Sequence, residues 1–131
     1  MILADTSAWI EFLRRTGSPT ERAMRSRLDA DEVATTDIVM LELLAGTTDD
    51  LRLAKIRRAL NASRYLPQRT PIDATTAAEI YRQCRRNGET PRQLTDCLVA
   101  AVALRNGVAI LQRDRDYEVI ARHSAVEVAN L

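Results

Sequence analysis

The chain carries one histidine, His123, and one lysine, Lys55. A lone histidine excludes two-histidine ribonuclease chemistry, and Ser7 has no matching histidine for a triad. His123 stands near the C-terminus, far in sequence from any acid–base partner, and reads as a surface or helix-end residue. Lys55 is misplaced for a receiver domain, which needs a lysine after a late strand. A phosphoryl-aspartate enzyme would need a second aspartate two residues after Asp5, and that residue is Ser7. There is no glycine-rich phosphate loop. The four glycines, Gly17, Gly46, Gly88 and Gly107, all fall where a helix is expected to stop. Cys84 and Cys97 form neither a C-x-x-C pair nor a zinc spacing, and read as small buried side chains. No apolar run reaches the length of a bilayer span. The N-terminus passes from Ile2 straight to Asp5, without the basic start and apolar run of a secretory signal. The expectation is a cytoplasmic protein with no membrane segment. Aromatics make up 4% of the chain, which argues against extensive base stacking.

Apolar material is ample. At 131 residues and 46% hydrophobic, the chain suits one domain, residues 1–131, with a core that needs no staple. Net charge is +1, so the overall balance does not announce a nucleic-acid binder. Of the 19 basic residues, all but Lys55 are arginine. Arginine matches phosphate with a planar fork, but it also makes ordinary ion pairs, and a GC-rich genome enriches it without functional cause.

The hydrophobic pattern predicts short buried strands at Met1–Ala4, Val33–Thr36, Val108–Gln112 and Val126–Val128, and part of another around Leu66. Helices are expected over Thr6–Arg15, from the capping box Ser18-Pro19-Thr20-Glu21 to about Ala30, and over Ile38–Ala45, Asp49–Ala62, Asp73–Arg86, Cys97–Asn106 and Asp116–Arg122. Asp37, Asp73 and Asp96 read as caps or helix starts. Strands that are apolar without alternation suit a sheet covered on both faces, and strands separated by helices imply parallel pairing. The expected fold is α/β: a central, mostly parallel sheet of four to five short strands flanked by helices.

That topology makes four distant acids neighbours. Asp5 and Asp114 end strands. Asp96 opens the helix that feeds a strand, so it lies at the carboxyl edge of the sheet. Glu42 lies in the helix that leaves the strand Val33–Thr36. Asp116 follows close behind Asp114. Ligand sites of open parallel sheets occur on this edge. Two carboxylates ~5 Å apart repel by roughly 3 kcal/mol at an effective dielectric near 20. Protonation, an inserted basic side chain or a divalent cation would relieve this, and hard oxygen ligands favour Mg²⁺ or Mn²⁺. Each acid also has a plain structural role open to it. Asp5 and Asp96 are either helix caps or ligands. Asp114 and Asp116, taken alone, read as a solvated turn and a cap. Glu42 interrupts the apolar run Met40-Leu41-Glu42-Leu43-Leu44, and a buried acid needs a reason. The functional reading rests on their joint placement.

Four motifs in order then resemble the PIN-domain nucleases, in particular VapC-type toxins of toxin–antitoxin pairs. They are Met1-Ile2-Leu3-Ala4-Asp5-Thr6-Ser7-Ala8-Trp9-Ile10, Glu42-Leu43-Leu44-Ala45-Gly46, Leu94-Thr95-Asp96-Cys97-Leu98-Val99-Ala100-Ala101 and Arg113-Asp114-Arg115-Asp116-Tyr117. The resemblance implies a Mg²⁺- or Mn²⁺-dependent endoribonuclease with Asp5, Glu42, Asp96 and Asp114 as catalytic acids. It implies Asp5 and Asp96 as principal metal ligands, with Asp114 and Asp116 assisting or holding a second ion. Thr6 or Ser7 would hydrogen-bond a carboxylate or the scissile phosphate. Arg92, with Arg82, Arg85 and Arg86, would hold backbone phosphates or form a solvated face. The implied partners are an RNA substrate, such as a transfer RNA loop, a second copy of the chain, and a VapB-type antitoxin that brings an arginine near the acids. The competing reading is a non-catalytic RNA- or protein-binding module on the same scaffold, with salt-sensitive binding and no cleavage.

Overall fold

The computed structural model describes residues 1–131. Its strands are β1 (Ile2–Ala4), β2 (Val33–Thr35), β3 (Arg64–Tyr65) and β4 (Ala109–Leu111). They form one parallel sheet in the order β3-β2-β1-β4. Ile2 faces Val33 on one side and Ala109 on the other, so β1 is central. Its three residues are fully apolar and buried, as a strand covered on both faces requires. The helices are α1 (Thr6–Arg14), α2 (Pro19–Asp29), α3 (Asp37–Gly46), α4 (Asp50–Ala62), α5 (Ile72–Arg86), α6 (Leu94–Asn106) and α7 (Arg115–Arg122). None is long and apolar enough to cross a membrane.

The core gathers Leu3, Trp9, Met24, Ile110, Tyr117 and Ile120 with the small side chains of α6. Residues Val99 to Ala103 of α6 are all buried. Alanines there let α5 and β4 approach closely. Cys84 and Cys97 are free and buried in this packing, and burial pushes the Cys97 thiol up to about 12. Gly107 closes α6 in the left-handed conformation (φ 64°). At the end of α1 that conformation falls on Arg15 (φ 51°) before Gly17 is reached. Gly46 is the last residue of α3 and Thr47 follows it in extended conformation, so no left-handed cap forms there.

Three expected helix starts shift. Thr36, not Asp37, is the N-cap of α3; the Asp37 carboxylate instead accepts from the Tyr65 hydroxyl and the Gln68 N–H, which ties β3 to α3. Pro71, not Asp73, caps α5. Asp73 is buried and holds Arg105 through two hydrogen bonds of 2.8 Å, joining the first turn of α5 to the last turn of α6. Helix α6 begins at Leu94, so Asp96 lies inside its first turn and caps nothing. In each case the helix starts upstream of the aspartate or without its side chain, and the carboxylate is freed for a tertiary role. The strand expected around Leu66 lies one residue earlier, with the Leu66 N–H donating to Thr35 O at 2.8 Å. The last expected strand reduces to a single parallel bridge, Ile110–Val128.

Candidate metal centre

Asp96, Asp114 and Asp116 come together, Asp5 joins Asp96 through a shared Tyr117 hydroxyl, and Glu42 is near enough to Asp5 to feel its charge. Asp5 leaves β1 and caps α1: its Oδ2 accepts from the Ser7 N–H at 3.0 Å and the Ser7 hydroxyl at 2.7 Å. The Ser7 Oγ in turn accepts the Arg113 N–H at 2.9 Å, so one hydroxyl locks the end of β1 to the segment after β4. Asp114 caps α7 by accepting the Asp116 N–H at 2.9 Å. Oxygens of Asp96, Asp114 and Asp116 all lie within 4.8 Å of one another.

Sequence alone does not single out Tyr117. This side chain is wholly buried, and its hydroxyl lies 2.6 Å from Asp5 Oδ1 and 3.3 Å from Asp96 Oδ1. One proton serves two carboxylates, and the shorter distance marks Asp5 as the acceptor. A usable signal exists: Tyr117 sits on the apolar face of α7 with Val119 and Ile120, and a buried tyrosine hydroxyl needs a polar partner. Burial and the Asp5 and Asp96 charges push its hydroxyl well above a tyrosine's usual range.

Asp96 is the most perturbed acid. Burial, then the Asp5 and Asp114 charges, then Asp116, push its carboxyl up to about 8. Its Oδ2 is buried and has no hydrogen-bond partner. Burial and the Asp5 charge also raise Glu42, which the Thr6 hydroxyl partly offsets. Thr6 Oγ1 is itself buried and outside hydrogen-bond geometry. Thus Thr6 sits beside Glu42, while Ser7 grips Asp5.

Asp5, Glu42 and Asp96 form no ion pair with a basic side chain, but the other two acids do. Arg92 reaches Asp114 Oδ1 at 3.3 Å and Asp116 Oδ1 at 3.4 Å. Asp116 Oδ2 also accepts the backbone N–H of Arg92 at 2.9 Å and of Gln93 at 3.3 Å. The chain therefore supplies its own arginine at this end of the row. Arg82, Arg85 and Arg86 are exposed on α5 and touch none of these acids. His123 ends α7 with Nε2 3.3 Å from Glu89 Oε1, which gives it the carboxylate neighbour its sequence position concealed.

The donor set suits a hard divalent cation. Every group is a carboxylate, and one buried oxygen waits without a hydrogen atom to accept. The fold and its acidic cluster define the class: a parallel α/β domain with carboxylates gathered at the carboxyl edge of its sheet. The PIN domain profile matches residues 2–123, and the chain belongs to the PIN-domain family. Within it, the chain is 42% identical over 132 aligned residues to Ribonuclease VapC11 of Mycobacterium tuberculosis, covering 99% of this chain and 98% of that one. VapC ribonuclease Mb1587 of Mycobacterium bovis matches to the same degree, 42% over 132 residues. Among solved structures, FitAcB from Neisseria gonorrhoeae superposes with a TM-score of 0.74 at 25% identity, covering 99% of this chain and 97% of that one. VapBC2 from Rickettsia felis, solved bound to a DNA fragment from their promoter, gives 0.79 at 14% identity over 100% of this chain and 99% of that one, a likeness of fold alone.

Proposed function

We propose that the chain is a metal-dependent endoribonuclease, the toxin of a VapBC-type toxin–antitoxin pair. The observation that carries this is the Asp5–Tyr117–Asp96 arrangement beside Asp114, with Asp96 Oδ2 unpartnered. Asp96, Asp5 and Asp114 would hold Mg²⁺ or Mn²⁺, with Asp116 behind them. Such an ion lowers the pKa of bound water and neutralises charge on the phosphoryl group being cut. The protein groups do the rest. Ser7 fixes the Asp5 carboxylate. Glu42, whose carboxyl burial and the Asp5 charge raise above its usual range, would be the group that takes and returns the proton. Thr6 and Arg92 stand on either side of the acids, suited to contact phosphate oxygens. A cytoplasmic site of action, a homodimer and a VapB-type antitoxin complete the reading. The similarity to VapC ribonucleases and the fold shared with VapBC complexes support it.

The test is cleavage of a transfer RNA pool in Mg²⁺ or Mn²⁺ by the parent, Asp5→Asn and Asp96→Asn. Both variants should fold, as read by circular dichroism, and lose cleavage. Variants that cut as fast as the parent would overturn the assignment.

A further inference from the structure

The acid row has a cationic flank on its Glu42 side. A cleft of about 360 Å³ opens beside α1 and the α3–α4 turn, with Thr6 and Glu42 among its walls. Arg14, Arg15, Arg52 and Lys55 also line it, four positive charges against two acids, Glu42 and Asp49. Arg52 meets Asp49 at 3.8 Å, and both side chains are exposed, so that pair binds weakly. Arg14, Arg15 and Lys55 make no ion pair. Lys55 Nζ lies 5.7 Å from the centre of the Phe12 ring, which draws the ammonium toward α1.

Helix ends explain part of this. A helix C-terminus favours cations, which covers Arg14 and Arg15 at the end of α1. It does not cover Arg52, which stands in the first turn of α4, where the helix dipole disfavours a cation. Nor does it cover Lys55, from the middle of α4. Both nonetheless line the cleft that holds the α1 arginines.

Building on the ribonuclease reading, we propose that this cleft is a substrate subsite holding backbone phosphates of a single-stranded RNA, adjacent along the strand to the phosphate that is cut. A polyanion is the occupant that four clustered cations against two acids favour. Ile10, Leu13 and Leu43 give the cleft an apolar side against which a ribose or base can rest. Because Glu42 and Thr6 belong to both the cleft and the acid row, a strand seated here meets the acids from the β2 side. The opposite end of the row carries Arg92. The strand would thus run from the cationic cleft along the acids toward the end where Arg92 pairs with Asp114 and Asp116.

The test is salt-dependent binding of a labelled single-stranded oligoribonucleotide, measured in an Asp5→Asn background to prevent cleavage. Each phosphate that is no longer neutralised makes the slope of log affinity against log salt shallower by about 0.7. Arg14→Gln with Lys55→Gln should therefore make it shallower by about 1.4. The control pair Arg57→Gln with Arg58→Gln, exposed on α4 and outside the cleft, should leave the slope alone. With Asp5 intact, the cleft variant should raise KM and leave kcat nearly unchanged. An unchanged slope and KM, with a parent that cuts RNA, would overturn the subsite and leave the ribonuclease reading standing. Equal losses in the control pair would also overturn it, by reducing the effect to net charge. If instead only poly-glutamate binding falls, the cleft belongs to a protein partner and the subsite is overturned. A parent that neither binds nor cuts RNA would remove both readings.

Discussion

Tyr117→Phe tests the buried arrangement at its centre. The substitution deletes one oxygen and keeps the ring, so the packing around a wholly buried side chain survives. What disappears is the 2.6 Å hydrogen bond to Asp5 Oδ1. A hydrogen bond to a charged group contributes about 1.5–3 kcal/mol, and here the orphaned oxygen belongs to a buried carboxylate. The Ser7 hydrogen bonds to the other oxygen remain, which favours the lower half of that range. The metal-free variant should therefore lose about 2 kcal/mol. For a domain of this size each kcal/mol moves Tm by about 4 °C, so the drop should be about 8 °C. Asp5 and Asp96 also lose the proton that screens them from each other, so a cation should stabilise the variant more than the parent. The assay is thermal melting by circular dichroism in chelator and in millimolar Mg²⁺ or Mn²⁺. A melting point within about 1 °C of the parent in chelator would refute the reasoning, because no buried charge-assisted bond can be that cheap to remove.

Two further predictions concern pH and the second buried acid. Asp96 has a folded-state pKa raised to about 8, against an unfolded value near 3.9. The stability tied to its protonated form is complete below the unfolded value and is lost as pH rises through 8. Metal-free protein should therefore unfold at lower urea at pH 9 than at pH 6, and Asp96→Asn should flatten that difference; an equal pH dependence in parent and variant would count against it. The Arg105 guanidinium holds the Asp73 carboxyl below its usual range, so the stability it contributes is present above the unfolded carboxylate pKa and is lost as pH falls through the lower folded value. Asp73→Asn should cost about 3 kcal/mol in urea unfolding at pH 7, the low end for a broken buried pair because Arg105 keeps some exposure and a third bond to Pro67 O. A loss under about 0.5 kcal/mol would mean that the pair contributes nothing.

The sheet and its acids were legible because they follow from periodicity and handedness. Ile2-Leu3-Ala4 and Ala109-Ile110-Leu111 are apolar without alternation, so they read as covered strands, and covered parallel strands fix which end of α6 lies beside Asp5. Pairings between side chains were not legible. Asp73 and Arg105 stand 32 residues apart, and only the packing of α5 on α6 joins them. The same holds for Tyr117, 112 residues from Asp5. Asp37, Asp73 and Asp96 each resembled a helix cap because aspartate before an apolar run usually is one. In all three the helix instead begins from a residue whose side chain makes no capping hydrogen bond, Thr36, Pro71 or Gln93, and tertiary partners or the acid row take the carboxylate.

The four aspartates of the row are not equivalent, and their hydrogen bonds rank them. A carboxylate whose lone pairs already accept N–H groups has less to offer a cation. Asp116 is the most committed: two backbone N–H groups and the Arg92 guanidinium occupy it. Its principal work is to pin the segment that carries Arg92, so its removal should act through that segment. Asp114 gives one oxygen to its helix cap and to Arg92. Asp5 divides its oxygens between Ser7 and Tyr117. Asp96 alone keeps a buried oxygen with no partner, at a cost that burial and three neighbouring charges make visible in its raised pKa. Four other buried atoms, Thr6 Oγ1, Trp9 Nε1, Thr35 Oγ1 and Thr36 Oγ1, also lack partners, but a buried carboxylate oxygen beside other acids costs more than any of them. On the metal-dependent reading proposed above, Asp96 would therefore be the strongest inner ligand. Its neighbours then orient it, and Arg92 keeps the far end of the row from adding repulsion the site does not need.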